Sequence, residues 1–321
     1  TAVLNGNFNN SQVKILDTAG AIKTFSPQID LKAAFTGANY AEPKQELNTS
    51  VSWQNNGQFQ LQNQSVRLTF TPGMVDLKAT ARENNFKLTN NSILIDGSMR
   101  TALAGGAPGA SDQFGLKVIL LPSFSLSGME NPKLEIKPTF IGELKDAASQ
   151  KFEVNGQSDF IPVATELSLS PSVRYYSDDG DQLGRGPLPP TIGQTTKYWI
   201  FVQVNNTTNP IKDASLNVTL NYNASFTGKQ SVTIGPALIH NNGNVSWSYR
   251  ELPAHSQAGW YFEVAVTPTT EQIGQNINLV NSIKFTATDK TTGKNFTLQR
   301  SGLNNILVPA DIGNQKGSLV Q

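Results

Sequence analysis

The chain lacks cysteine altogether and carries few charged side chains for its 321 residues. Without cysteine, a disulfide framework, a cysteine-ligated metal site and a thiol nucleophile are excluded. Charged residues make up 15% of the sequence, against about 25% in an ordinary soluble protein. Lys and Arg (25) balance Asp and Glu (24) to a net charge of +1. No run of basic residues is available to hold a phosphate backbone, so we expect no nucleic-acid partner.

Long apolar runs are also missing. The most apolar stretch, residues 118–121, has the length of a buried strand, far below the roughly 20 residues that a membrane helix requires. We therefore expect no membrane span in this sequence. No signal peptide is visible and Thr1 is not an initiator, so we expect a processed or partial chain.

The local pattern is that of strands and turns, and no segment of ten or more residues keeps a helical period. Aromatic and β-branched residues fill 197–204, while 215–220 and 260–266 alternate with period two. The Asn242-Gly243 step suits a type I′ hairpin turn, and one short helical turn is expected at 270–272. In the second half the pattern predicts strands near 164–175, 196–205, 213–222, 229–239, 244–249, 259–267 and 278–288, with a closing pair at 294–300 and 303–309.

The two halves of the chain are the same module written twice. Residues 65–70 align with 215–220, and the spacing shortens slowly from about 150 to about 144 across three later matches: Leu116 with Phe262, Phe140 with Phe285, and Phe152 with Phe296. Seven to nine short strands in the second repeat predict an immunoglobulin-like sandwich with an added terminal hairpin or long loops, and the duplication extends this fold to the first repeat. Duplicated modules build scaffolds or interaction surfaces more often than one converging active site.

The predicted fold class is therefore all-β, with two tandem immunoglobulin-like β-sandwich modules and an N-terminal β-hairpin. The segments are 1–25 for the hairpin, 26–162 for the first sandwich and 163–321 for the second. Residues 13–15 and 21–22 resemble 152–154 and 160–161, which suggests the closing hairpin of a module whose earlier strands are absent. Such a hairpin can complete a neighbouring subunit by strand addition. The alternative is an ordinary extra hairpin at the edge of the first repeat.

Asn-x-Ser/Thr triplets are the first class of candidate site. They indicate a glycosylated exported protein, although an Asn- and Thr-rich β surface also produces such triplets through composition alone. The candidate residues are Asn9, Asn48, Asn63, Asn90, Asn205, Asn206, Asn217, Asn223, Asn244 and Asn295.

The segment after the boundary supplies two further candidates. Asp178, Asp179 and Asp181 offer hard oxygen ligands for calcium at an inter-module joint, and calcium is the only cofactor considered. The alternative is a solvated turn. Tyr175 and Tyr176 form an adjacent, exposed-looking aromatic pair and are the candidates for ligand contact.

Catalytic chemistry has little support. His240 and His255 fall in predicted turns without a recognisable nucleophile or acid partner, so we predict no enzyme and no catalytic residue. The four tryptophans could form a sugar-stacking platform. Three of them fall on strands in register with apolar neighbours two residues away, which favours core packing instead.

Several of these segments resemble the immunoglobulin-like surface repeats of bacterial and archaeal envelope proteins, in the cell-adhesion-related and conserved-repeat classes. The resemblance rests on the Asn-Asn turns after Trp53 and Val204 and on 245–254 leading into 260–264. Repeat one departs from it, with Ile95 in place of Trp247. What the resemblance implies is an extracellular, cell-surface, non-enzymatic role.

Together these features predict a structural protein, a self-associating subunit of a microbial surface layer (S-layer), filament or pilus-like fibre. Its modules would assemble through β-module contacts or strand addition. The alternative is a monomeric adhesin or carbohydrate-binding module with a glycan or cell-surface partner.

Overall fold

The computed structural model describes residues 2–8, 11–18, 27–126, 128–145 and 150–321, the first two ranges by their backbone alone. Within these ranges nearly all of the regular secondary structure is β-strand, which confirms the predicted all-β fold class. The strands in chain order are β1 (Ala2–Phe8), β2 (Ser11–Thr18), β3 (Ile29–Thr36), β4 (Glu46–Asn55), β5 (Leu61–Phe70), β6 (Lys87–Thr89), β7 (Ser92–Asp96), β8 (Ser111–Ile119), β9 (Lys133–Leu144), β10 (Lys151–Asn155), β11 (Asp159–Pro162), β12 (Leu167–Arg174), β13 (Thr196–Asn206), β14 (Ile211–Leu220), β15 (Ala224–Val232), β16 (Ile239–Asn241), β17 (Asn244–Leu252), β18 (Gln257–Val266), β19 (Asn278–Asp289) and β20 (Asn295–Asn304).

Helical structure is short. The helix α1 (Leu77–Asn84) begins where the Asp76 carboxylate accepts a hydrogen bond from the Ala79 N–H, and it ends at Asn85 in the left-handed conformation. Single 3-10 turns occupy 101–103, 270–272 and 312–316. The predicted turn at 270–272 is confirmed. Among the described residues no helix is long and apolar enough to cross a membrane.

The first module packs two sheets face to face. One has the strand order β3-β4-β8, and the other β10-β9-β5-β7-β6 with β11 also paired to β9. Every second residue of β4 is buried, so one face of this strand lines the core. Trp53 packs there against Phe140, with ring centroids 5.4 Å apart.

The second module repeats this arrangement with the sheets β12-β13-β18-β15 and β16-β17-β14-β19-β20. Its core centres on Trp247 and Trp260, whose rings meet edge to face at 4.7 Å. The buried apolar side chains form two separate clusters, one within 31–163 and one within 169–320. Two sandwich modules are therefore present, and the boundary at 162 stays a prediction.

The duplication extends to backbone irregularities. Both β5 and β14 carry a one-residue bulge at the same point in their pairing with β9 and β19. The bulge places Asn63 at φ 51° in the first module and Asp213 at φ 53° in the second. These residues are about 150 positions apart, which matches the offset of the sequence repeat.

Some of the local predictions are confirmed and others are wrong. The type I′ turn is confirmed by positive φ at Asn242 (46°) and Gly243 (76°) between β16 and β17. The prediction of two closing strands at 294–300 and 303–309 is wrong, because the single strand β20 covers 295–304. Segments 152–154 and 160–161 form no hairpin either: β10 and β11 each pair with β9. At the N-terminus β1 pairs with β2, and residues 21–22, the second segment of the predicted hairpin, lie outside the described residues.

The stability of the first module at acid pH depends on the hydrogen bonds of one carboxylate, Asp96. The Asp96 carboxylate accepts hydrogen bonds from Lys87 Nζ at 2.7 Å and from the Ser98 N–H and hydroxyl at 2.9 and 2.6 Å. These bonds lower the pKa of Asp96 to about 2. Because the folded pKa is below the unfolded one, the stabilisation is present above about pH 4 and is lost as pH falls towards 2.

We therefore expect Asp96→Asn to lower the free energy of unfolding by about 1 kcal/mol at pH 7. This difference in free energy of unfolding should vanish near pH 2, and urea unfolding of both proteins at pH 7 and pH 2 measures it. Asp30, whose carboxylate lies 3.5 Å from Lys32 Nζ on the surface, is the matched control. An Asp96→Asn effect independent of pH would contradict the assignment.

Candidate functional site

The linker between the modules, residues 163–166 between β11 and β12, is bound to the first module by its main chain. The Ala41 N–H donates to Pro162 O, and Ala164 N–H donates back to Ala41 O, both at 2.9 Å. Val163 N–H donates to Pro132 O at 2.8 Å. The linker thus forms a parallel bridge with the loop at residue 41 and has little freedom to rotate.

A buried polar cluster ties the same linker to the second module. Asp289 is 0% exposed, and one of its oxygens accepts from the Thr165 N–H and from Asn209 Nδ2, both at 2.8 Å. The other oxygen accepts from two N–H groups of its own loop at 2.8 and 3.0 Å. Asn209 Nδ2 also donates to Val163 O at 2.7 Å, so a single carboxylate organises linker and loop together.

An ion pair crosses the joint directly. The Lys294 ammonium of the second module pairs with the Glu42 carboxylate of the first. It also lies 5.0 Å from the ring centre of Phe296 and 5.8 Å from that of Tyr40, within the range of cation–π attraction. The partly buried ammonium therefore has partners from both modules.

A loop of the first module completes the joint. Asn131 N–H donates to Thr208 O at 3.1 Å, and the Asn131 side chain accepts a hydrogen bond from the Thr291 hydroxyl. His255 Nε2 lies 3.1 Å from Met129 O. With the linker, these contacts hold the two sandwiches from several sides, so we infer that the joint acts as one stiff unit.

A cleft of about 410 Å³ opens beside these contacts. Phe124 and Leu126 line it from the first module, while Asn205, Thr207 and His255 line it from the second. The lining combines an apolar side with amide and hydroxyl groups, the His255 imidazole and the Glu166 carboxylate.

The predicted glycosylation sites divide by exposure. Asn206 is only 4% exposed, and its Nδ2 donates to Asn209 O and Pro253 O, both at 2.8 Å. The folded protein therefore offers no free amide at Asn206, and we remove it from the candidates. Asn223 is half-buried, and Asn9 lies outside the described residues. Glycosylation stays a prediction at the exposed positions Asn48, Asn63, Asn90, Asn205, Asn217, Asn244 and Asn295.

The acidic loop does not bring its carboxylates together. Asp178 pairs with Arg174, and Asp179 and Asp181 are exposed in a turn closed by hydrogen bonds between residues 177 and 181. In the described part of the chain, no three Asp, Glu, His or Cys side chains are placed to hold a metal ion. Calcium binding by this loop therefore stays a prediction without a preformed set of carboxylate ligands.

The tyrosine pair is not exposed as the sequence suggested. Tyr175 is 2% exposed, its hydroxyl donates to Gly186 O at 2.6 Å, and burial raises its pKa. Tyr176 is partly buried as well: its ring centre lies 5.3 Å from that of Tyr175, and the side chain packs against the same core. The Tyr176 hydroxyl lies 3.2 Å from Lys316 Nζ. A ligand contact stays a prediction for Tyr176 alone.

A feature missed from the sequence is an aromatic outer face on β13 and β18. The cross-strand pairs are Trp199 opposite Glu263 and Phe201 opposite Tyr261, and the Phe201 and Tyr261 ring centres are 4.6 Å apart. Trp53, Trp247 and Trp260 do lie in the cores, whereas Trp199 is partly exposed. The period-two alternation carried this signal, since residues 198, 200 and 202 are the buried set.

Glu263 is unusual on this face. It is 0% exposed although it points away from the core. One of its oxygens accepts from the Thr227 hydroxyl at 2.8 Å, and the other lies 3.5 Å from Lys229 Nζ. The buried carboxylate thus lies close to two ammonium groups, since Lys197 Nζ is 3.8 Å from its first oxygen.

No family model and no curated protein matches this chain. Among solved structures, it is similar to BcpA, the major pilin subunit of Bacillus cereus, in two crystal structures, one of them of an aspartate-to-alanine variant. In both comparisons the sequence identity is 9% and the TM-score 0.33, over 86% of this chain and 69% of the pilin chain. A TM-score this low does not establish a shared fold.

Proposed function

We propose that this protein is a non-enzymatic structural subunit of an extracellular fibre or layer on a microbial surface. The observation that carries the proposal is the joint between the modules. There the linker, the buried Asp289 and the Glu42–Lys294 ion pair couple the two sandwiches. A stiff joint between repeated modules suits a protein that transmits load along its length.

The N-terminal hairpin supports assembly by strand addition. Within the described residues β1 and β2 pair with each other and with no other strand. A two-stranded hairpin alone is marginally stable in water, and its outer edges carry unpaired backbone groups. Pairing with an exposed sheet edge of another copy satisfies those groups.

The surface chemistry is compatible with close subunit contacts. Neutral Asn, Gln, Ser and Thr dominate over charge, which is 15% of residues. Burying a neutral hydrogen-bonding group costs less than burying an ammonium or carboxylate. When the donor strand and the acceptor edge lie at different places on the subunit, the contact between subunits is heterologous. Such a contact extends into an open polymer if the rotation from one subunit to the next does not close a ring.

Sedimentation velocity and negative-stain electron microscopy test the proposal. We expect the purified chain to form fibres or sheets, and a variant lacking residues 1–25 to remain monomeric with unchanged thermal unfolding. The core clusters of the described side chains begin at Leu31, so with unchanged thermal unfolding the loss would report on assembly. A full-length chain that stays monomeric at high concentration would contradict the proposal.

The aromatic outer face favours a second candidate, a carbohydrate-binding adhesin. Sugar rings stack on aromatic side chains, and Trp199, Phe201 and Tyr261 lie together beside a carboxylate. If this function holds, Trp199→Ala should weaken glycan-array binding at least tenfold. Tyr249→Ala, an exposed aromatic elsewhere on the same module, should leave it unchanged. A wild-type protein that binds no glycan would remove this candidate.

A further inference from the structure

The two modules differ at one sheet edge. In the second module β15 pairs with β18 and closes the four-stranded sheet, with Ser231 opposite Tyr261. The Thr233 N–H continues this pairing to Gly259 O at 3.0 Å. The corresponding sheet of the first module, β3-β4-β8, stops at β8. The first module therefore has one strand fewer at this position.

The helix α1 fills only part of the gap. The Thr80 hydroxyl accepts from the Ile119 N–H at 3.0 Å. Asn84 accepts from the Lys117 N–H at 2.9 Å and donates to Lys117 O at 2.8 Å. Side chains of α1 thus stand in for a neighbouring strand along the carboxyl-terminal half of β8.

The amino-terminal half of β8 remains open. Alternate residues of a strand turn their N–H and C=O groups to the same edge, so Ser111, Gln113 and Gly115 face the edge that Lys117 faces. Gln113 N–H is bonded locally by the Asp112 carboxylate, which Arg100 holds. Among the described residues no strand other than β4 pairs with this segment. Residues 111–115 form the open edge.

We propose that this open edge receives a strand from the N-terminal hairpin of a second copy of the chain. The inference rests on the proposed function, in which the hairpin donates a strand, and it names the sheet edge that accepts this strand. The second module shows that the sandwich accommodates a strand here, since β15 occupies the equivalent place beside Gly259 and Tyr261. The donor is a hairpin whose two strands pair with no third strand in the part of the chain that the structure describes.

Several features fit a strand at this edge. No proline lies between residues 111 and 119, so the edge keeps the N–H groups that a protected edge lacks. Gly115 is exposed and presents no side chain to an incoming backbone. The seven- and eight-residue strands β1 and β2 are long enough to cover five residues. Among the described residues the hairpin and the open edge do not pair with each other, which leaves the edge available to the hairpin of a second copy.

Hydrogen exchange on the native protein tests the edge directly. The Gly115 amide should exchange at least tenfold more slowly in assembled material than in the monomer lacking residues 1–25. The Tyr261 amide, which faces β15 at the equivalent position, is the matched control and should be protected in both. Equal exchange rates of the Gly115 amide in the two states would overturn the assignment of residues 111–115 as the acceptor edge.

A backbone substitution separates the acceptor from the general proposal. Gly115→Pro removes the edge N–H, whereas Gly115→Ala keeps it and adds the same Cβ, which meets Thr49 O at 3.3 Å. We expect the alanine variant to assemble and the proline variant to remain monomeric. Fibres from Gly115→Pro, with none from the truncated chain, would overturn this acceptor and leave the proposed function standing. Fibres from both would overturn both.

Cysteine pairing identifies whose hairpin is bound, since the chain has no native cysteine. One preparation carries Gln113→Cys, and the others carry single cysteines at positions 12 to 16. Mixed and oxidised, at least one combination should give a disulfide-linked dimer. A chain carrying both cysteines that closes on itself, with no dimer from the mixtures, would assign the edge to its own hairpin and overturn the proposal.

Discussion

Replacing Asp289 by alanine should destabilise the second module by about 3–5 kcal/mol, the range for removing one partner of a buried charged network. The carboxylate accepts four hydrogen bonds in a fully buried position. Without it, the Thr165 and loop N–H groups lose their acceptor, and the cost of burying them is no longer offset. The Asn209 amide keeps only Val163 O.

Differential scanning calorimetry should show the transition of the second module falling by well over 5 °C, with the first module's transition little changed. The transition temperature of Asp289→Asn should lie between those of the wild type and Asp289→Ala, because asparagine keeps one acceptor oxygen but presents an NH₂ group to the donors. Asp178→Ala, a carboxylate on an exposed loop, is the control and should cost less than about 1 kcal/mol. A small effect at Asp289 would mean that the joint is held by other contacts.

The second large effect is expected for Asp311→Ala, with a loss of about 2–4 kcal/mol. Asp311 is buried, and one oxygen accepts from the Tyr175 and Tyr176 N–H groups at 2.7 and 2.9 Å. The other oxygen accepts from the Gly313 N–H at 2.8 Å. This carboxylate fixes the carboxyl-terminal segment to the end of β12.

Amide exchange across 305–321 should accelerate in Asp311→Ala, while exchange in the first module stays unchanged. Asp181→Ala on the neighbouring exposed turn is the matched control. Unchanged exchange in 305–321 would show that the Asn305 side chain, which bonds the Ile277 N–H at 2.8 Å and Ser318 O at 2.6 Å, suffices to hold the segment.

The sequence predicted the second module well because its strands alternate cleanly. In β13 the residues Tyr198, Ile200 and Val202 are buried, and the Asn242-Gly243 step fixed a turn through its positive φ angles. These are local signals, set by side-chain period and backbone sterics. They needed no knowledge of what lay across the core.

Elements set by tertiary context were missed. The helix α1 buries only Thr80 and Ala81, too few residues for a helical period to show. The strand β20 lies at the edge of its sheet, and β10 and β11 both pair with β9. These pairings depend on which strands become neighbours in the folded sheet, which no local pattern in the sequence specifies. Sequence alone does not give strand order, so the open edge of β8 was beyond prediction.

The candidate residues divide in the same way. Asn206 fits the glycosylation triplet, yet its amide is used inside the joint. The acidic residues 178–181 resemble a cation loop, but Arg174 takes one carboxylate. The joint itself, centred on Asp289 and Asn209, had no sequence signature, because its hydrogen bonds join residues 80 and 124 positions apart.

A cryo-EM reconstruction of the assembled protein tests strand donation between stiff two-module subunits most directly. We expect the first module to show a fourth strand beside residues 111–115, continuous with the hairpin of a neighbouring subunit, and an unaltered joint around Asp289. Fibres in which β8 stays an edge and the hairpins contact nothing would contradict this mode of assembly. So would a purified chain that never leaves the monomeric state.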